Sequence, residues 1–364
     1  MATFHTLTID PPLLNSSCLW ASDLAQLREL YSSPFTGAVT TRTATLHGYK
    51  ENASNAAVFS TDKLSTLNSY GYSPHPLFQY LEWIYTILTE TSIPQHRSAR
   101  KPIILSITAS SAADLTAMLA DIRAFCSRLY DHPNLTEAYR VHSPNVHSTT
   151  LLAIELNTSC PNIPGAPPPS YHLPTLRPLL ECLRDAYRSD PTLTIGLKLP
   201  PYPDVTRVRE VVDCLAEFTY KPNPSEEARN PFAFLTCTNT LGGSVLMADQ
   251  VDLSSVIYPP GVPAPPLTSF AVPPAVGGLG GTQLHPLALG TVLSLSRALA
   301  AHADPAIRAI RLIGVGGVTD CAAAGRMRAA GASVVACATL LGKEGVRAFE
   351  LLTDSSAGAL TVEA

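Results

Sequence analysis

Charge is scarce in this chain. Asp, Glu, Lys and Arg make up 15% of its 364 residues, well under the roughly 25% of an average globular protein. With 46% apolar residues, the composition suits a well-buried α/β fold, and the length allows one large domain, 1–364, with an ample core. A net charge of −4 with no basic stripe speaks against a nucleic-acid partner. Met1 to Leu14 lacks a basic segment followed by an apolar core. No apolar run reaches the roughly 18–20 residues of a membrane helix, so neither export nor a membrane partner is expected. The eight cysteines, at 18, 126, 160, 182, 214, 237, 321 and 337, form no CxxC pair, so no zinc or iron–sulfur site is expected. Cysteines scattered in a chain without an export signal fit a reducing, cytoplasmic setting.

What is present is alternation. Short apolar runs predict strands at Leu13–Ser17, Ala38–Thr43, Ile103–Thr108, Leu151–Asn157, Thr194–Lys198, Phe232–Thr238, Ile310–Val315 and Val334–Ala338. Helical periodicity predicts helices at Ser22–Tyr31 (with Ser22 as N-cap), Ala112–Leu129, Leu173–Arg188, Val205–Glu217, Pro286–Ala303, Asp320–Ala330 and Gly345–Leu352. Eight strands alternating with helices predict a (β/α)8 barrel, a TIM barrel. An open doubly wound sheet is the alternative, but the first βα turn lacks the GxGxxG that a dinucleotide-binding sheet would carry. Insertions near 45–100 and 240–282 interrupt the alternation, where long loops commonly cover a barrel's active site. A further insertion at 132–147 carries no recognisable chemistry.

Catalytic groups in such a barrel sit at the C-terminal ends of the strands. Those ends hold Arg42, Asn157, Cys160, Asn162, Lys198, Asn239 and Thr240. Two cations, several amides and a thiol suit a small planar anion bearing carbonyl or NH groups. Cys160 within Asn157-Thr158-Ser159-Cys160-Pro161-Asn162 reads as a base or nucleophile; the plainer reading is a cysteine packed in a turn. Ile313–Val318, with Gly316 and Gly317, and Cys337-Ala338-Thr339 follow the last two strands, where barrels bind phosphate; tight turns would also use glycine here. Gly277–Gly281 lets a ligand approach the backbone or acts as a hinge. A phosphate-anchored cofactor over a cysteine base suggests flavin mononucleotide (FMN), with Lys198 beside the flavin's pyrimidine edge or in a salt bridge at the strand end.

On these motifs the chain resembles the class 1A dihydroorotate dehydrogenases, above all in Ser159-Cys160-Pro161-Asn162-Ile163-Pro164-Gly165 and Lys198-Leu199-Pro200-Pro201-Tyr202. Further matching segments are Asn15-Ser16-Ser17, Gly37–Thr45, Asn68–Tyr72, Thr238–Gly242, Gly277–Gly281, Ile313–Val318 and Thr339–Gly345. The resemblance implies oxidation of dihydroorotate to orotate in pyrimidine biosynthesis, with Cys160 removing the C5 proton, hydride passing from C6 to N5 of FMN, and fumarate as acceptor. It also implies a homodimer. It assigns Arg42, Asn68, Gly71, Tyr72, Asn157, Asn162, Asn239 and Thr240 to the substrate. Ser17, Arg42, Lys198, Gly278, Gly316, Gly317 and Thr339 go to FMN. Three positions depart from the family: Arg42 replaces a lysine, and Cys18 and Ala338 replace glycines. They leave two other expectations open, a related FMN oxidoreductase for another dihydropyrimidine or cyclic amide, and a catalytically weak flavin-binding paralogue.

Overall fold

Runs of apolar residues that must hide both faces become central parallel strands, flanked by helices. In the computed structural model, residues 1–90, 100–132, 135, 151–266 and 268–353 are described. A parallel sheet contains β3 (Leu13–Asn15), β4 (Val39–Thr40), β7 (Ile103–Ile107), β8 (Leu152–Asn157), β9 (Thr194–Leu199), β10 (Phe232–Cys237), β13 (Arg311–Val315) and β14 (Val334–Cys337). The strand order is β3-β14-β13-β10-β9-β8-β7-β4. Every position of β7, β8 and β9 is buried. Intervening helices pack outside, including Leu24–Ser32, Leu77–Thr89, Ala112–Tyr130, Leu173–Ser189, Val205–Ala216 and His285–Ala301.

A side chain completes the ring. Strands β3 and β4 bound the sheet order, and between them Asn15 stands in for a peptide group. Its Nδ2 donates to the Thr40 carbonyl at 2.6 Å and its Oδ1 accepts from the Thr40 N–H at 2.9 Å. The Gly37 N–H adds a bond to the Leu13 carbonyl at 2.8 Å. This seam excludes the open doubly wound alternative and gives the predicted (β/α)8 TIM barrel.

The bottom of the barrel is stoppered by a hairpin that the sequence reading did not anticipate, β1 (Ala2–Phe4) and β2 (Leu7–Ile9). Phe4, Leu7 and Ile9 are fully buried and join Leu14, Ile104, Phe234, Ile313 and Val334 in one apolar cluster. Phe4 stacks on Phe234 with ring centroids 5.7 Å apart.

The two insertions meet over the top. Ala57–Phe59 (β5) and Ser65–Asn68 (β6) pair with Gly277–Gly281 (β12) and Leu241–Ser244 (β11) in a second sheet, order β11-β12-β6-β5. The glycine run is therefore a strand rather than a hinge, and its Gly280 and Gly281 lie on the cleft wall. A Cβ on Gly277 would stand 2.5 Å from the Asn68 carbonyl oxygen, and one on Gly281 2.2 Å from that of Leu64, distances that no side chain fits.

Three local expectations are corrected. Asp23, not Ser22, caps the first helix, accepting from the Gln26 N–H at 2.9 Å. The last expected helix, Gly345–Leu352, is Arg347–Leu351, and Gly345, at φ +59°, instead ends a separate, unanticipated helix at Thr339–Glu344. The segment Thr282–Ala301, mean hydropathy 1.2, is long and apolar enough to cross a membrane by length and composition. Its Leu284, Ala288, Val292, Leu295 and Leu299 instead face the barrel core. The 132–147 insertion lies almost wholly outside the described residues.

Candidate active site

A cleft with an empty volume of about 1060 Å³, its open mouth included, lies at the C-terminal ends of the barrel strands. The strand ends carry Arg42, Asn157, Cys160, Lys198, Asn239 and Thr240 into it, and the first insertion contributes Asn68, at the end of β6, with Gly71 and Tyr72 just after it. Asn162, Ser17, Gly316, Gly317 and Thr339 line it as well. Of the residues singled out from sequence, Gly278 alone is not on the wall; Gly280 and Gly281 are. Gly278 is needed for packing instead, because a Cβ there would sit 2.2 Å from the Thr240 hydroxyl oxygen.

The amides interlock in two groups. Asn157 donates from Nδ2 to Thr43 Oγ1 at 2.9 Å, and its Oδ1 accepts from the Ser159 N–H and from Asn239 Nδ2. Asn162 Nδ2 donates to the Asn68 carbonyl and side-chain oxygens and to the Tyr70 carbonyl, all within 3.0 Å. Asn68 Nδ2 in turn donates to the Gly278 carbonyl at 3.1 Å. Amides held this way are preorganised, and a ligand pays little to order them.

Cys160 is 8% exposed between the two groups. Burial pushes its thiol above the ordinary range, while the Asn162 N–H and the charges of Lys198 and Arg42 pull it back. Tyr72 faces the same sulfur. Burial first, and then the nearby Cys160, pushes its phenol up as well, opposed by a hydrogen bond with Thr108. Cys18 is pushed up to about 11 by burial and stays a thiol at neutral pH.

A polar column descends from this mouth into the barrel. Ser17 Oγ lies 3.0 Å from Thr43 Oγ1, which lies 3.0 Å from Ser106 Oγ. Ser106 donates to Glu155 Oε1 at 3.1 Å, and Thr236 donates to Glu155 Oε2 at 2.6 Å. The buried Glu155 carboxylate is thereby satisfied, as burial of a polar group demands.

The two cations of the mouth differ. Lys198 is 4% exposed. It donates to Ser16 Oγ at 2.9 Å and to the Ser17 carbonyl at 3.0 Å, and among the described residues no carboxylate pairs with it. Arg42 is buried against Glu51, Nη2 to Oε1 at 2.7 Å. A buried ammonium held by neutral oxygens favours an anionic or electron-rich ligand beside it.

At the opposite end, Gly316 and Gly317 take φ +125° and +65°, backbone angles that glycine adopts readily and other residues resist. The Gly316 carbonyl is bound by His285 Nδ1 at 2.7 Å, and Arg326 Nε donates to His285 Nε2 at 3.1 Å. Since the guanidinium only donates, Nε2 accepts and Nδ1 carries the proton given to Gly316. Ala338 has φ −132° and ψ −57°, outside the left-handed region that favours glycine, so the methyl that replaces glycine is accommodated. Thr238, also on the cleft wall, has a buried hydroxyl with no hydrogen-bond partner among the described residues. This orphaned hydroxyl, the unpaired Lys198 and the glycine turn fit a phosphate-bearing flavin. No group of three or more His, Cys, Asp or Glu able to hold a metal ion occurs among the described residues.

Sequence reading missed Ser16, Thr43, Thr66, Trp20 and Tyr70, all on the wall. Ser16, Thr43 and Tyr70 fall inside the matching segments Asn15-Ser16-Ser17, Gly37–Thr45 and Asn68–Tyr72, while Trp20 and Thr66 carry no pattern that marks them as cleft-facing.

This architecture defines a class: a (β/α)8-barrel protein with a thiol, clamped amides and a two-glycine turn around one cleft. Comparison with known proteins narrows the class. Residues 267–356, which include the turn at Gly316 and Gly317, match the family described as Dihydroorotate dehydrogenase. Two relatives, from Streptococcus pyogenes serotype M5 and Streptococcus pneumoniae serotype 4, are each provisionally named dihydroorotate dehydrogenase A (fumarate). Each is 27% identical over 346 residues, covering 95% of this chain and 88% of the relative. The similarity to these provisionally named fumarate-type dihydroorotate dehydrogenases therefore extends along nearly the whole chain.

Proposed function

We propose that this protein oxidises dihydroorotate to orotate, with FMN as cofactor and fumarate as electron acceptor. The observation that carries the reading is Cys160, buried between the Asn157–Asn239 and Asn68–Asn162 amide pairs and facing the same cleft as Lys198. A dihydropyrimidine ring offers carbonyl and NH groups along its edge, and clamped amides match both. Cys160, as thiolate, accepts the proton from C5, the carbon beside a ring carbonyl. FMN, when bound, supplies the hydride acceptor for C6. Lys198 places fixed positive charge where negative charge grows on the cofactor, and Gly316, Gly317 and Thr339 hold its phosphate. The two amide groups hold the ring and keep C5 within reach of the sulfur. Cytoplasmic location and a homodimer complete the proposal.

The decisive experiment loads the full chain with FMN and adds dihydroorotate without oxygen. The flavin absorbance band bleaches, and fumarate then restores it. A band unchanged by dihydroorotate rejects the reading. A related oxidoreductase for a ring without a carboxylate is favoured by one observation, the capture of Arg42 by Glu51.

A further inference from the structure

The mouth holds two cations, and only one has a carboxylate partner. Arg42 is 5% exposed, and its Nη2 donates to Glu51 Oε1 at 2.7 Å, to the Tyr72 carbonyl at 3.0 Å and to the Gly71 carbonyl at 3.4 Å. Its Nη1 donates to Ser22 Oγ at 3.3 Å, and its guanidinium lies 5.3 Å from the Tyr70 ring centroid. Arg42, Tyr70, Gly71 and Tyr72 all line the cleft. Both members of the ion pair are nearly buried, with side-chain exposures of 6% and 10%. In so dry a place a carboxylate and a guanidinium interact strongly, and a second carboxylate could approach only by sharing or displacing the first.

We propose that Glu51 is a specificity-determining residue: it occupies Arg42 and so sets the preference of the cleft between carboxylate-bearing and carboxylate-free ring ligands. Nothing in the sequence pattern marks Glu51, which stands in the first insertion. With Glu51 in place, the Arg42 corner is close to neutral, and a ligand's carboxylate gains little there. With Glu51 neutralised, the guanidinium keeps its backbone acceptors and its place over Tyr70 but presents a full charge to the cleft. Arginine's planar fork then suits a ligand carboxylate better than any neutral group. The proposal rests on the reading of the cleft as a dihydropyrimidine site.

The test compares orotate with uracil, the same ring without the carboxylate. Binding of each to the FMN-loaded full chain is measured by calorimetry, for the natural protein and for Glu51→Gln. The expected result is that orotate gains at least about tenfold over uracil in Glu51→Gln, and that the gain disappears in the double variant Arg42→Gln/Glu51→Gln. Should Glu51→Gln fold poorly, Glu51→Asp keeps the charge but withdraws it by one methylene, and a smaller gain of the same sign is expected. An orotate-to-uracil ratio unchanged in all variants, with the natural protein binding orotate, overturns the role of Glu51 and leaves the proposed function standing. Orotate binding to Glu51→Gln but not to the natural protein supports the role of Glu51 and rejects dihydroorotate as the substrate. If no variant binds orotate, both fall.

Discussion

The two ends of this barrel are built from opposite materials. The bottom is closed by Phe4, Leu7 and Ile9, inserted as an apolar stopper against Phe234 and Ile313. The top is lined by amides, hydroxyls, a thiol and two cations, and its polar column reaches Glu155 inside the ring. The same ring of strands supports both, because alternate side chains along a strand face different layers. The difference teaches a division of labour. At the bottom nothing asks for a ligand: the buried contacts are apolar packing, and the turn's Thr6 hydroxyl is met by Thr194 Oγ1 at 2.9 Å. At the top, among the described residues, Thr238 lacks a partner and Lys198 lacks a carboxylate, conditions that a fold tolerates where a ligand completes them.

This division can be broken in graded ways. The largest effect is expected at the top. Cys160→Ser lowers the rate of flavin reduction by dihydroorotate about 10²–10⁴-fold and leaves the thermal midpoint nearly unchanged. Burial raises the Cys160 thiol, so at neutral pH most of it is protonated. The rate of the natural protein therefore climbs as pH rises toward the thiol's raised value and levels off above it. A rate independent of pH between about 6 and 9, the span around a free thiol's value, would falsify the role of Cys160 as base.

A loss of similar size in free energy, but in the other currency of stability, is expected at the bottom. Phe4→Ala lowers unfolding free energy by about 3–5 kcal/mol through the cavity it leaves, read by denaturant unfolding. The fraction still folded reduces its flavin at the natural rate. If Phe4→Ala slows that step several-fold without destabilising the fold, the two ends are not separable. The smallest effect belongs to neither end. Ser111 caps Ala112–Tyr130 on the outer layer by accepting from the Asp114 N–H at 3.1 Å, and Ser111→Ala should cost about 1 kcal/mol with no change in ligand binding.

Much of the barrel was legible because its central strands are continuous apolar runs with unambiguous borders. Leu152–Asn157 and Thr194–Leu199 differ by a residue from expectation. The elements that escaped have physical reasons for it. Strands β1 and β2 have three residues each, too few for a period to show. Strand β12 is Gly277-Gly278-Leu279-Gly280-Gly281, a composition that disfavours strands everywhere except where neighbours approach too closely for a Cβ. The seam at Asn15 depends on a side chain imitating backbone, and pattern reading has no entry point for that. In the candidate site, the strand-end residues could be placed because barrel topology dictates which ends converge. The capture of Arg42 by Glu51 could not, since it joins a strand end to an irregular loop nine positions further along. Local spacing outside a helix or strand does not determine who meets whom.

The sheet over the cleft has a consequence for how such proteins can be altered. It joins two hairpins from insertions far apart in the chain, β5–β6 of the first and β11–β12 of the second, through the pairing of β12 on β6 from Gly278↔Asn68 to Gly281↔Ser65. Neither insertion brings a complete sheet of its own. The pair behaves as a two-part key cut across the sequence. A loop exchange that carries 45–75 without 240–282 delivers half a key, with β6 missing β12 and Asn68 missing the Gly278 carbonyl it donates to. Any recombination of this chain with a relative should therefore place both crossovers so that the two parts travel together.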